Sequence, residues 1–152
     1  MKGILGGTFD NFHIGHMHFI KESFMQADKL ILGITSDSFA NSLLKEPGNL
    51  EKLKARKANL LDYLESTAMI EDIEVVEIDD AYGPGAYATD LSKIFCTKNT
   101  KKTAESLNTK RIEKSLNPLE VVEIDLVLSS DGKPVSSTRI RKGEINQNGE
   151  PL

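Results

Sequence analysis

Between Lys29 and Thr35 the chain reads Leu-Ile-Leu-Gly-Ile, an apolar run without the alternation of a half-exposed strand. Such a strand needs cover on both faces, which a parallel sheet with helices above and below supplies. Other β-rich runs, at 2–8, 73–78, 93–97 and 119–128, alternate with segments of helical character. The first, 16–27, repeats Met17, Ile20, Phe24 and Ala27 at helical spacing. A short helix or irregular segment follows at 36–44, then a longer helix carrying Leu53, Leu60, Leu61 and Leu64 on one side. Residues 103–116 form a further helix and 136–142 a short terminal one, with breaks at 46–49, 82–85 and 129–134. Strand then helix, repeated, predicts an α/β fold: a Rossmann-like three-layer domain whose five-stranded parallel sheet is flanked by helices. Residues 1–145 make this domain, and the polar residues 146–152 read as a loose tail. A sheet of this kind binds ligands at the carboxyl ends of its strands, where the strand order reverses.

Composition narrows the function. A net charge of -4, from 19 basic and 23 acidic residues, lacks the basic footprint of a nucleic-acid binder. No apolar run approaches the roughly 20 residues that cross a bilayer, so no membrane partner is expected. Cys96, the single cysteine, sits in an apolar strand as a small core residue and favours a reducing compartment. With a glycine-rich start unlike a signal peptide, the expected location is cytoplasmic. Whether the chain forms a homo-oligomer stays open, because a sequence does not show which sheet edges are exposed.

The segment with chemical content joins the first strand to the first helix: Gly6-Gly7-Thr8-Phe9-Asp10-Asn11-Phe12-His13-Ile14-Gly15-His16. Glycines there let the backbone turn and approach a ligand. A helix start offers free backbone N–H groups and a partial positive charge, both suited to phosphate. If the helix begins near His13, the imidazoles of His13 and His16 share one face at that end. Each ring can donate a hydrogen bond in either protonation state, so the sequence leaves their charge open. Two histidines so spaced could also ligate a metal, but the remaining one, His18, lies on a different face. Neither the dinucleotide fingerprint nor the phosphate-loop pattern is present.

The Gly-Gly-Thr-Phe-Asp-x-Phe-His-x-Gly-His string resembles the signature of the HxGH nucleotidyltransferase superfamily. Ser136-Ser137-Thr138-Arg139-Ile140-Arg141 resembles its second element. Within the superfamily the chain is similar to the archaeal-type phosphopantetheine adenylyltransferases over nearly its whole length. The supporting stretches are 33–37, 78–84, 119–125 and, most fully, Asp131 to Ile145. The resemblance implies transfer of AMP from ATP to 4′-phosphopantetheine, giving dephospho-coenzyme A and pyrophosphate. ATP and a phosphorylated small-molecule acceptor would be its partners, with Mg2+ accompanying the triphosphate. The alternatives are another HxGH enzyme (NMN adenylyltransferase, FAD synthetase or a cytidylyltransferase) or a non-catalytic nucleotide sensor.

Carried onto this sequence, the resemblance gives His16 and His13 to the triphosphate, with His16 the main transition-state stabiliser. Gly7, Thr8, Phe9 and Gly15 would complete the nucleotide loop. Ser136, Ser137 and Thr138 would meet the β and γ phosphates, with Arg139 or Arg141 adding charge; hydroxyls at a helix start are also ordinary N-caps. A lysine after the second strand would neutralise the reacting phosphates: Lys45 before Lys52 or Lys54. Thr8, Lys45 and Asp79 would reach the acceptor, although Asp79 and Asp80 also suit a turn. Asp10 reads as a loop-capping residue, Phe9 and Phe12 as packing residues, and Arg56 as a family arginine or a solvent-facing one. The basic stretch Lys98, Lys101 and Lys102 departs from the family pattern where adenine and acceptor would be held.

Overall fold

The computed structural model describes residues 1–44 and 48–152. Its strands are β1 (Lys2–Gly7), β2 (Lys29–Thr35), β3 (Ile73–Ile78), β4 (Lys93–Cys96) and β5 (Glu120–Glu123). Its helices are α1 (Ile14–Phe24), α2 (Asp37–Ser42), α3 (Leu53–Glu65), α4 (Lys101–Glu113) and α5 (Ser137–Arg141). The five strands form one sheet, ordered β3-β2-β1-β4-β5, and every pairing is parallel.

The apolar continuity of β2 has the expected cause. Leu30, Leu32 and Ile34 face one cluster, with Leu5 of β1, Ile20 of α1 and Leu60 and Leu64 of α3. Ile31 points to the opposite cluster, with Ile4 of β1 and Leu107 of α4. Each fully buried leucine contributes on the order of 2 kcal/mol, enough for both helix layers to hold the sheet.

Two expectations change. The fifth strand stops at Glu123 rather than Leu128, because its partner β4 ends at Cys96, opposite Glu123. Beyond it the chain leaves the sheet: the Val135 N–H donates to the Val127 carbonyl at 2.9 Å, and Leu128 bridges Pro134. Nor is the segment 146–152 loose. Ile145 bridges Pro151 in antiparallel fashion, and the Asn146 side-chain oxygen accepts from the amides of Asn148 (2.9 Å) and Glu150 (3.0 Å). Its composition is polar because those polar groups tie the turn to itself.

The strand order reverses at β1, which continues to β2 on one side and meets β4 on the other. The carboxyl end of β1 therefore opens into the crevice where a parallel sheet takes a ligand. The chain leaves the sheet there, after Gly7, at Thr8-Phe9-Asp10.

Candidate active site

The turn out of β1 is made by Phe9 and Asn11, with φ of 55° and 47°, rather than by the glycines, which stay in the strand. Asparagine tolerates this left-handed region; phenylalanine there costs about 1 kcal/mol, a strain of the kind that collects at functional sites. Burial of the Phe9 ring, only 2% exposed in the core cluster, offsets it. Phe9 thus lines the site from below as a packing residue.

His13 is the N-cap of α1. Its Nδ1 accepts from the amides of Gly15 (3.0 Å) and His16 (3.4 Å), while the His13 amide donates to His16 Nδ1 at 3.2 Å. The two histidines form a reciprocal capping box. Because each Nδ1 accepts, the proton of each neutral ring sits on Nε2. The rings stack with centroids 3.6 Å apart, and His16 also stacks on Phe12 at 5.4 Å. Burial pushes the His13 pKa down to about 4 against the opposing pull of Asp10, and holds His16 well below the usual histidine range. Both are neutral at pH 7, each with an Nε2–H that has no acceptor among the described residues.

This corrects one expectation. The amides of the first turn of α1 are not free for phosphate: Gly15 and His16 donate to His13, and Ile14 donates to the Gln147 carbonyl at 3.0 Å. The imidazoles accept the capping N–H groups at Nδ1, which leaves the proton of each ring on Nε2, and His16 lines the cavity described below. Such a relay polarises the Nε2–H donor. Gly15 is needed because a Cβ there would lie 2.8 Å from the His13 ring.

The C-terminal motif meets this segment. Ser137 Oγ donates to the Asp10 carbonyl at 2.6 Å, and Arg141 forms an ion pair with the Asp10 carboxylate. Asp10 is 2% exposed and also accepts from the Glu51 amide at 2.8 Å, the loop-capping part expected of it. A cavity of about 200 Å³ results, lined by Thr8, Asp10, His16, Ser137 and Arg141 among others. Elements 120 residues apart in sequence thus share one cradle.

Beside it, a cleft of about 380 Å³ sits at the carboxyl ends of the strands, lined by Gly6, Gly7, Thr35, Ile78 and Cys96 with Asn99, Thr100 and Thr103. Thr8 and Leu43 line both spaces, and Thr35 Oγ1 donates to Thr8 Oγ1 at 3.1 Å. Of the basic stretch, Lys101 pairs with Glu123 at 3.6 Å, and Lys98 borders a separate cavity of about 390 Å³ beside Glu123, Asp125 and Leu128.

Other expected residues divide. Ser136 is the N-cap of α5, accepting from the Arg139 amide at 3.2 Å, and Thr138 Oγ1 accepts from Arg141. Arg139 does not face the cradle. Asp131 (2.6 Å) and Glu144 (3.0 Å) hold it, with Ser129 Oγ at 2.8 Å, so its donors are spent on the 129–134 turn. Among the described residues, Arg141 is the cradle's cation. Asp79 lies outside as well, in a groove along β3 with Glu77 and Pro84, while Asp80 caps the Tyr82 and Gly83 amides. Lys45 lies outside the described residues.

Arg56 was open in the sequence and is decided in the structure: it is fully buried, not solvent-facing. Its guanidinium donates to the carbonyls of Thr8 (2.9 Å), Thr35 (2.9 Å) and Glu51 (2.9 Å), and to Asp37 at 3.2 Å. It ties the ends of β1 and β2 beneath the cradle. Its position on α3, in step with Leu53, Leu60 and Leu64, was the available signal.

Residues 4–143 match the cytidylyltransferase-like family. The chain is 37% identical to the phosphopantetheine adenylyltransferase of Methanothermobacter thermautotrophicus, covering 95% of this chain and 85% of that one. It is 36% identical to the enzyme of that name from Methanosarcina mazei, covering 97% and 95%. Among solved structures, a protein of unknown function from Archaeoglobus fulgidus superposes with a TM-score of 0.72 at 26% identity, covering 82% and 90% of the two chains. With the histidine capping box closed on the serine-bearing helix, the chain belongs to the cytidylyltransferase-like family and groups within it with the archaeal phosphopantetheine adenylyltransferases.

Proposed function

We infer that the chain transfers the adenylyl group of ATP to 4′-phosphopantetheine, releasing pyrophosphate and forming dephospho-coenzyme A. The observation that carries this reading is the small cradle of His16, Ser137 and Arg141 opening onto a larger cleft through Thr8 and Leu43. Among the described residues, the side chains that line that cleft carry no charge, with Ile78, Ile94 and Phe95 beside the hydroxyls of Thr35 and Thr100. A neutral arm of amides and methyl groups matches such a wall.

A phosphate oxygen of the acceptor attacks the α-phosphorus of ATP in line. The bond from that phosphorus to the bridging oxygen breaks, and its electrons leave with pyrophosphate. The acceptor phosphate is already ionised, so no protein base is required. The protein contributes positioning and electrostatics, the main currency of phosphoryl transfer. Neutral Nε2–H donors of His16 and His13 meet the oxygens on which charge grows, and need no reorganisation to do so. Arg141 adds a fixed positive charge, and Lys45, by the family resemblance, would bring a second one to the reacting phosphates.

Magnesium would accompany the triphosphate and neutralise part of its charge. Phosphate oxygens and water would hold it: among the described residues no His, Cys, Asp and Glu group is built for a metal, and Asp10 is engaged by Arg141. No helix among the described residues is long and apolar enough to cross a membrane.

The test is a pyrophosphate-release assay crossing ATP and CTP with 4′-phosphopantetheine, nicotinamide mononucleotide, FMN and a polyol phosphate. Turnover with ATP and 4′-phosphopantetheine is expected to exceed every other pair. A different best pair would reassign the acceptor, and tight ATP binding without pyrophosphate would make the chain a sensor.

A further inference from the structure

The turn after α5 touches both halves of the cradle. Within it, Asn146 N–H donates to the Glu150 carbonyl at 2.9 Å, Gly149 N–H to the Asn146 carbonyl at 3.0 Å, and Leu152 N–H to the Glu144 carbonyl at 3.1 Å. Ile145, 1% exposed, anchors it in the protein. Besides the links of Glu144 back to Arg139 in α5, two contacts point outward from this closed unit. The Gln147 carbonyl accepts the N–H of Ile14, the residue between His13 and Gly15. Gly149, buried and at φ +76°, is so close that a Cβ would lie 2.8 Å from Val135 Cγ2 and 3.4 Å from Ile14 Cδ1. Val135 immediately precedes the serine motif. The turn is therefore wedged between the start of α1 and the approach to α5.

We propose that residues 144–152 are a positioning element of the active site, holding the start of α1, and with it the rings of His13 and His16, in register with Ser137 and Arg141. The argument is geometric. The histidine capping box is made by the residues on either side of Ile14, and it fixes which way each Nε2–H points. The Ile14 amide is the one first-turn donor the box does not use, and the turn takes it. The Asp10 links tie α5 to the loop before α1, whereas the turn ties α5 to the helix itself. Without it the helix start can shift relative to the serine motif while the sheet and both core clusters stay intact. A misplacement near 1 Å costs about a hundredfold in rate, so a modest shift suffices.

The catalytic readout rests on the adenylyltransferase reading, so the experiment pairs it with one that does not. Two full-length variants are made. Asn146→Ala removes the side-chain acceptor of the Asn148 and Glu150 amides without adding bulk, and Gly149→Val forces a branched side chain against Val135 and Ile14. For each, kcat per folded molecule is measured by pyrophosphate release, ATP affinity by calorimetry, and histidine titration by NMR. The expected result is a fall in kcat of about tenfold or more, with KM for the acceptor little changed. The most acid-shifted imidazole should move back toward the ordinary histidine range as the first turn of α1 loosens. A role in stability alone would lower the melting temperature and leave kcat of the folded fraction and the titrations where they were; that result would overturn the proposal. Asn146→Ala decides the matter if Gly149→Val does not fold. Should the wild type release no pyrophosphate, the functional reading fails, and the titrations still judge the positioning.

Discussion

Replacing His13 by asparagine separates its two duties, capping and titration. Asparagine caps a helix about as well as any residue, so at pH 7 the variant should lose little helix stability. Acid is where the two proteins part. In the unfolded chain His13 takes up a proton near pH 6.5, whereas in the folded protein burial delays it to about pH 4. Between those values the unfolded state binds more protons, so stability falls as pH falls. The contribution is complete above pH 6.5 and is used up on passing through pH 4. A gap of about 2.5 pH units at 1.36 kcal/mol per unit comes to about 3 kcal/mol. Urea unfolding at half-unit steps from pH 7.5 to 4 should show the wild type losing about 3 kcal/mol more than His13→Asn, with most of the divergence below pH 6. The acid response of His16 is largely common to both proteins. If the two stability curves run parallel, His13 takes up its proton at the same pH folded as unfolded, and burial does not hold the relay from the helix amides neutral.

Three further outcomes follow from the site. His16→Ala should lower kcat on the order of a hundredfold or more, with ATP affinity reduced far less, because its donor is aimed at charge that develops during transfer; stopped-flow pyrophosphate release and calorimetry measure the two. Arg141→Met should weaken ATP binding and cost about 3–5 kcal/mol, since Asp10 keeps its charge in a buried place, and adding Asp10→Asn should restore part of that stability. Arg139→Met should leave ATP affinity within about twofold: its donors are held by Asp131, Glu144 and the 129–134 turn, and it does not line the cradle.

Much of the scaffold could be read from the residues alone, for a physical reason. The bounds of β2 are those of its apolar run, because helices cover that strand on both faces, whereas β3, at the sheet edge, carries Glu74 and Glu77 between its buried ends. The fifth strand was over-extended because side chains record burial, not hydrogen-bond partners; Val127 and Leu128 find theirs in the 134–135 segment instead of in the sheet. The glycine-rich histidine loop announced a phosphate site, and Ser137 does share a cavity with His16. What stayed hidden was the assignment of donors and acceptors. Sequence cannot tell Arg139, pinned by Asp131 and Glu144, from Arg141, turned onto Asp10. Nor could it tell that a polar segment such as Asn146 to Glu150 spends its polarity on itself, or that the α1 amides would be taken by His13 and Gln147.

Arg56 is a bolt whose thread is cut in main-chain oxygen. Three carbonyls, from Thr8, Thr35 and Glu51, are matched to a planar fork, and among the described residues only the half-open carboxylate of Asp37 balances its charge. Lysine would supply the same charge from a single point and leave carbonyls in the dry interior without a donor. Position 56 is therefore one where keeping the charge does not keep the fold. A chain that lost its guanidinium would let the tips of β1 and β2 drift apart, and Thr8 would leave its post between the two chambers.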